Sequence, residues 1–177
     1  SGKKVGGGLV TTFNELAVLS ENRITKTPKN MDSDLGALLG CALSTSLGIT
    51  YKEASIKNDD LILIIGAWSV GLSSLVASKL IKGTQVSIID INDQKLDLCL
   101  KLGADNILNI NSKSFEDHSL NNKFDKVIET TGRPNNIANG LNWTNSGGKL
   151  ILVGQPKFGE EVVFKNMQNN FQGKTIF

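Results

Sequence analysis

The chain has 177 residues, 40% hydrophobic and 20% charged, with a formal net charge of +2. That length supports one full hydrophobic core and little more, and a near-neutral charge with dispersed lysines offers no electrostatic footprint for nucleic acid or an anionic membrane. No apolar run approaches the roughly 20 residues of a membrane helix, and no signal-peptide core opens the chain, so a cytoplasmic protein is expected.

Gly6-Gly7-Gly8 reads as a flexible lead-in, since no helical pattern follows it as it would follow a phosphate loop. Thr11 to Leu19 is rich in β-formers and predicts a strand, with Ile24 to Pro28 a second extended piece. Asp32-Ser33-Asp34 can cap a helix running through Leu35, Leu38, Leu39 and Leu43. Its interior glycines, Gly36 and Gly40, cost stability unless something packs closely against them, which predicts a crowded site.

From Leu61 the rhythm is strand, helix, strand, helix. Leu61 to Ile65 and Val86 to Ile91 are continuous apolar runs of the kind buried in a parallel sheet, with a helix from Val70 to Leu80 between them. A helix over Asn92 to Leu102, closed by Gly103, follows. Then come strands at Asn106 to Ile110 and Lys126 to Glu129, a helix at Asn136 to Trp143, and a strand at Lys149 to Val153. Val162-Val163-Phe164 and Thr175-Ile176-Phe177 read as a final edge pair. The alternation specifies an α/β fold, a doubly wound parallel sheet within residues 32–177.

The stretch Leu61 to Asp90 has the layout of a dinucleotide-binding βαβ unit. Gly66 would turn the chain off the strand, Gly71 would let the helix pack close to the sheet, and amides near Ser69 and Val70 would meet a pyrophosphate. Asp90 follows Gly71 by 19 residues and can accept hydrogen bonds from an adenosine ribose, which points to NAD over NADP. Trp68 stands where the G-x-G-x-x-G fingerprint has its second glycine. An indole there must swing clear or occupy the phosphate's volume, and occupation with weakened binding is the expectation.

Cys41 and Cys99 form no CxxC pair, so no disulfide framework is indicated, and Cys99 reads as a small buried apolar residue in a helix. Cys41 by itself reads as a packed helix cysteine. His118, the only histidine, lies in a polar loop and reads as solvated.

In shared order, Gly40-Cys41-Ala42-Leu43-Ser44-Thr45-Ser46-Leu47-Gly48, Gly66 to Gly71, Asp90-Ile91-Asn92-Asp93-Gln94-Lys95-Leu96, Leu102-Gly103-Ala104-Asp105, Glu129-Thr130-Thr131-Gly132-Arg133 and Val153-Gly154 resemble the medium-chain, zinc-type alcohol dehydrogenase family. The resemblance implies the coenzyme-binding domain of a Rossmann fold, with residues 1–31 a remnant of the family's catalytic domain. It implies Cys41 as a zinc ligand, Thr45 as a catalytic residue on the nicotinamide side with Val70 beside it, and Asp90, Ile91 and Lys95 around the adenosine. Thr131 and Arg133 would lie near the adenine, and Val153 with Gly154 near the carboxamide. It further implies an alcohol substrate, NAD, zinc in a parent roughly twice as long, and a homodimer joined through Glu161-Val162-Val163-Phe164.

Read as residues alone, Thr45 can bond back to its own helix, Lys95 can be one more exposed lysine, and Arg133 before Pro134 can be a surface turn. Two other functions compete: a Rossmann-like module that has lost its cofactor and serves as a structural or partner-binding domain, with Trp68 its support, and a methyltransferase using S-adenosylmethionine. The Cys41 and Thr131-Gly132-Arg133 segments fit the methyltransferase poorly.

Overall fold

The structure, a computed structural model, describes residues 15–112, 117–121, 123–165 and 172–177. The chain divides into two units, Ser1–Ala37 and Leu38–Phe177. In the first, residues 15–20 form no strand, Glu21–Arg23 make a single 3-10 turn, and residues 24–28 carry no regular structure, with Ile24 extended. The rest of the strand expected from Thr11, and Gly6-Gly7-Gly8, lie outside the described residues.

Asp32 does cap a helix: its Oδ1 accepts from the Asp34 and Leu35 amides at 2.9 and 3.2 Å. That helix, α1 (Ser33–Leu39), stops at Gly40, and α2 (Ala42–Leu47) begins after Cys41, whose φ of −140° and ψ of −70° break the spiral. The single helix expected through Leu43 is therefore two. Nor is Gly36 crowded, since a Cβ there would meet only Thr27 and Met31 at 3.7 and 3.8 Å. A π-helical turn, Gly48–Glu53, follows α2 directly.

The second unit is built on a six-stranded parallel sheet of order β3-β2-β1-β4-β5-β6. In chain order its elements are β1 (Leu61–Ile65), α3 (Ser69–Lys79), β2 (Gln85–Asp90), α4 (Asp93–Lys101) and β3 (Asn106–Asn109). After a 3-10 turn at Asp117–Leu120 come β4 (Phe124–Glu129), α5 (Pro134–Trp143), β5 (Thr144–Leu152) and β6 (Thr175–Ile176).

Both faces of this sheet are covered, which is why β1 is apolar without alternation. Ile62, Ile64, Val86, Ile88 and Ile128 pack with Leu75 of α3 and Leu96 and Cys99 of α4. Leu63, Ile65, Ile89, Val127 and Leu150 face the other way, onto Leu141 and Trp143 of α5. Strands added in one direction through α3 and α4 and in the other from β4 leave a crevice at the carboxyl ends beside β1.

Two strand expectations need correction. β5 begins five residues earlier than Lys149, at Thr144, which pairs with Phe124 before the register shifts so that Lys126 pairs with Lys149. Val162-Val163-Phe164 is not a strand. Val163 is exposed, Phe164 is partly buried against the core, and among the described residues β6 forms this edge of the sheet.

Candidate functional site

At the end of β1 the chain turns through Gly66, whose φ of +102° favours glycine, and whose absent Cβ would stand 2.5 Å from Thr130 Oγ1. Gly71 is required by close approach: a Cβ there would lie 1.9 Å from the Gly66 carbonyl oxygen. The first turn of α3 is thereby pressed onto the strand exit. Leu72 N donates to Trp68 O at 2.8 Å, so the amides of Ser69, Val70 and Gly71 precede the helix's own hydrogen-bond ladder. Trp68, the N-cap, supplies no side-chain acceptor for them.

Asp90, at the end of β2, faces this turn. Its Oδ2 accepts from Ala67 N at 2.7 Å, and its Oδ1 accepts from Ile91 N and Asn92 N at 2.8 and 2.9 Å. The carboxylate pins the turn after β1 to the turn after β2, and Oδ2 keeps acceptor capacity beyond its one bond.

A cavity of about 330 Å³ opens above these turns. It is lined by Gly66, Trp68, Asp90, Ile91, Lys95, Thr131 and Arg133 among the residues named from sequence. Ile65, Ile89, Ile110, Thr130 and Asn136 complete the lining and were not anticipated. Trp68 stands on the wall: its indole is 69% exposed and lies under the Lys95 ammonium, Nζ being 4.0 Å from the ring centroid. Lys95 is thus half-buried rather than one more solvated lysine.

The opposite wall is organised by Glu129, which sequence reading left without a role. Its side chain is fully buried at the end of β4 and accepts from Thr131 N at 2.8 Å, from Thr131 Oγ1, and from Gly132 N at 3.0 Å. Thr131 Oγ1 in turn accepts from Arg133 N and Asn136 Nδ2 at 3.2 and 2.9 Å, which fixes the loop that carries Arg133. A second opening, on the far side of Arg133, is lined by Pro134, Gln155, Lys157 and Glu160.

Cys41, Thr45, Ser69, Val70, Gly71, Val153 and Gly154 do not line the cavity. Val153 N and Gly154 N both donate to Glu129 O, at 2.8 and 3.1 Å, and a Cβ on Gly154 would lie 2.1 Å from Gly132 N. Cys41 and Thr45 are exposed at the start of α2, where Thr45 N donates to Cys41 O at 2.9 Å. Ser46, also missed, ties this helix to α3: its buried hydroxyl bridges Ala42 O at 2.7 Å and Val70 O at 3.1 Å.

Cys99 is inert in this setting, because burial, aided by the charge of Asp90, pushes its thiol up to about 11. Among the described residues no three His, Cys, Asp or Glu side chains stand together as a metal site, and no helix is long and apolar enough to cross a membrane. The side chain of His118 lies outside the described residues.

A family model described as zinc-binding dehydrogenase matches residues 69–177. The S-(hydroxymethyl)glutathione dehydrogenase of Saccharomyces cerevisiae is 26% identical, aligned over 89% of this chain and 43% of its own length. That of Escherichia coli is 27% identical, over 89% of this chain and 44% of its own. Benzyl alcohol dehydrogenase from Acinetobacter calcoaceticus superposes with a TM-score of 0.77 at 27% identity, covering 85% of this chain and 42% of that one. An alcohol dehydrogenase zinc-binding domain protein from Burkholderia ambifaria gives 0.75 at 28% identity, covering 84% and 41%. The chain therefore spans less than half the length of these relatives.

Proposed function

This chain belongs to the zinc-binding dehydrogenase family, and on that premise we propose that it is the NAD-binding domain of an alcohol dehydrogenase. The observation that carries the reading is the convergence, on one cavity at the carboxyl ends of β1, β2 and β4, of Asp90, Lys95, Thr131 and Arg133 beside the helix-opening turn at Gly66. The residues present fit a dinucleotide. Ser69, Val70 and Gly71 present amides to a pyrophosphate, and the Asp90 carboxylate can accept from a ribose hydroxyl through Oδ2. Thr131 and Arg133 would flank the adenine, with Ile91 across from them.

When bound, the cofactor supplies the hydride acceptor for alcohol oxidation. The chain's own part is to orient it: Ser46 couples α2, and with it Thr45 and Cys41, to the start of α3 at Val70. Val153 and Gly154, anchored to Glu129, close the nicotinamide side. Cys41 is one thiol, whereas a catalytic zinc takes three protein ligands, so a zinc here needs partners other than those described. Assignment of residues 1–31 to the catalytic domain, a cytoplasmic location and a homodimer belong to the same reading. With Val162 to Phe164 out of the sheet, the edge available for pairing is β6 with Phe177, and a monomer by sedimentation at micromolar concentration would remove that part.

Isothermal titration of the 177-residue chain tests the cofactor assignment. NAD is expected to bind more tightly than NADP, because a 2′-phosphate meets the Asp90 charge, and Asp90→Ser should narrow the gap. Equal affinity of the unaltered chain for the two would count against it.

A further inference from the structure

We propose that Trp68 and Lys95 form a clasp across the adenosine end of the cavity, one that must part before a dinucleotide can enter. The inference rests on the cofactor reading above and concerns what this chain adds to it. A ligand held both by the amides opening α3 and by Asp90 has to cross from the first turn of α3 toward α4. Trp68 stands on one bank of that route, as the N-cap of α3, and Lys95 on the other, in the first turn of α4. Both line the cavity with Asp90, and they touch each other across it.

Three features make the contact a competitor of the ligand rather than a fixed wall. Lys95 makes no ion pair among the described residues, and its ammonium is instead placed over the indole face. The Asp90 carboxylate, which also lines the cavity, accepts from the Ala67, Ile91 and Asn92 amides and forms no ion pair with Lys95. Trp68 itself is 69% exposed and belongs to neither core cluster, so its ring is not locked by core packing. A cation–π contact at such a site is worth a factor of about two to five in an equilibrium, small enough for a dinucleotide to displace. Glycine at position 68 would leave both the volume and the lysine free.

The test is a double-mutant cycle read by calorimetry with NAD on the 177-residue chain, Trp68→Gly, Lys95→Met and the double variant. Trp68→Gly is expected to tighten binding about tenfold, which is roughly 1.4 kcal/mol. In the unaltered chain Lys95→Met should change affinity less than about twofold, because losing a ligand contact is offset by releasing the indole. In the Trp68→Gly background the same change should weaken binding about fivefold, since the lysine is then free to meet the ribose. Trp68→Ala serves as a second variant, and Trp143, fully buried, leaves Trp68 as the tryptophan that acrylamide quenches, so NAD should alter that quenching as the ring moves. If Lys95→Met has the same effect in both backgrounds, or if both Trp68 variants bind more weakly than a parent that binds NAD, the clasp is wrong and the cofactor reading stands. If none of the proteins binds NAD, the cofactor reading fails and the clasp falls with it.

Discussion

Asp90 and Glu129 both close buried strands with a carboxylate, yet they do different work. Asp90 reaches sideways to the neighbouring turn and remains on the cavity wall, whereas Glu129 is folded under its own loop and satisfied by Thr131 and Gly132. Sequence distinguished the first, because its spacing from the glycine turn matches a ribose acceptor, but not the second. The partners of Glu129 depend on how residues 130–132 turn back, which local pattern does not encode. The Trp68 contact with Lys95 was invisible for a similar reason: 27 positions separate them, and only the β1–β2 pairing brings them together. The two thiols give a direct check at this scale. Cys41 is exposed and Cys99 is fully buried, so one thiol per chain should react with a disulfide reagent under native conditions and two after denaturation, with Cys41→Ser abolishing the native reaction. The raised Cys99 pKa carries a sign. The folded state holds the proton more tightly than the unfolded state, so this contribution to stability is whole below the thiol's ordinary value of 9.0 and is lost as pH rises toward about 11. Denaturant melts should show an alkaline fall over that range that is absent in Cys99→Ala; an identical fall in both would refute it.

The elements of the sheet were legible because β1 is an uninterrupted apolar run and β2, β3 and β4 each hold an apolar pair, Ile88-Ile89, Ile107-Leu108 and Val127-Ile128, while α4 and α5 carry clear opening signals. Asn92 caps α4 through the Lys95 amide at 3.1 Å, and Pro134 opens α5. Where expectation and structure part, the cause is local. Asn145-Ser146-Gly147-Gly148 is turn-type sequence, and it separates Thr144, which pairs with Phe124, from Lys149, which pairs with Lys126 beyond the register shift. The apolar spacing from Leu35 to Leu43 suggested one helix, but Gly40 and the non-helical Cys41 divide it. The packing of α3 onto its turn is the element-scale feature most open to challenge. Gly71→Ala would drive a methyl to 1.9 Å from the Gly66 carbonyl oxygen, and backbone cannot yield as a side-chain tip can. We expect a loss of at least about 2 kcal/mol in urea unfolding, together with lost NAD binding. A stability within about 0.5 kcal/mol of the parent would show that the helix can slide, and that Gly71 does not set its approach.

At the scale of the molecule, the fold converts strand order into a binding crevice. β1 sits between β2 and β4, so the loops leaving these three strands, which carry Gly66, Asp90 and Thr131, meet at one rim although they lie far apart in sequence. The sheet is covered on both faces, and Trp68, which stands where the dinucleotide fingerprint has its second glycine, lies at that rim. The account stands on the claim that this rim binds NAD. A nitrogen-detected titration of the isotopically labelled chain, following backbone amides as NAD is added, tests it with residue resolution. The predicted result is a set of shifts confined to Ser69 to Gly71, Ile91 to Lys95 and Thr131 to Arg133, together with the Trp68 indole N–H. Shifts scattered over other surfaces, or none at millimolar NAD, would contradict it.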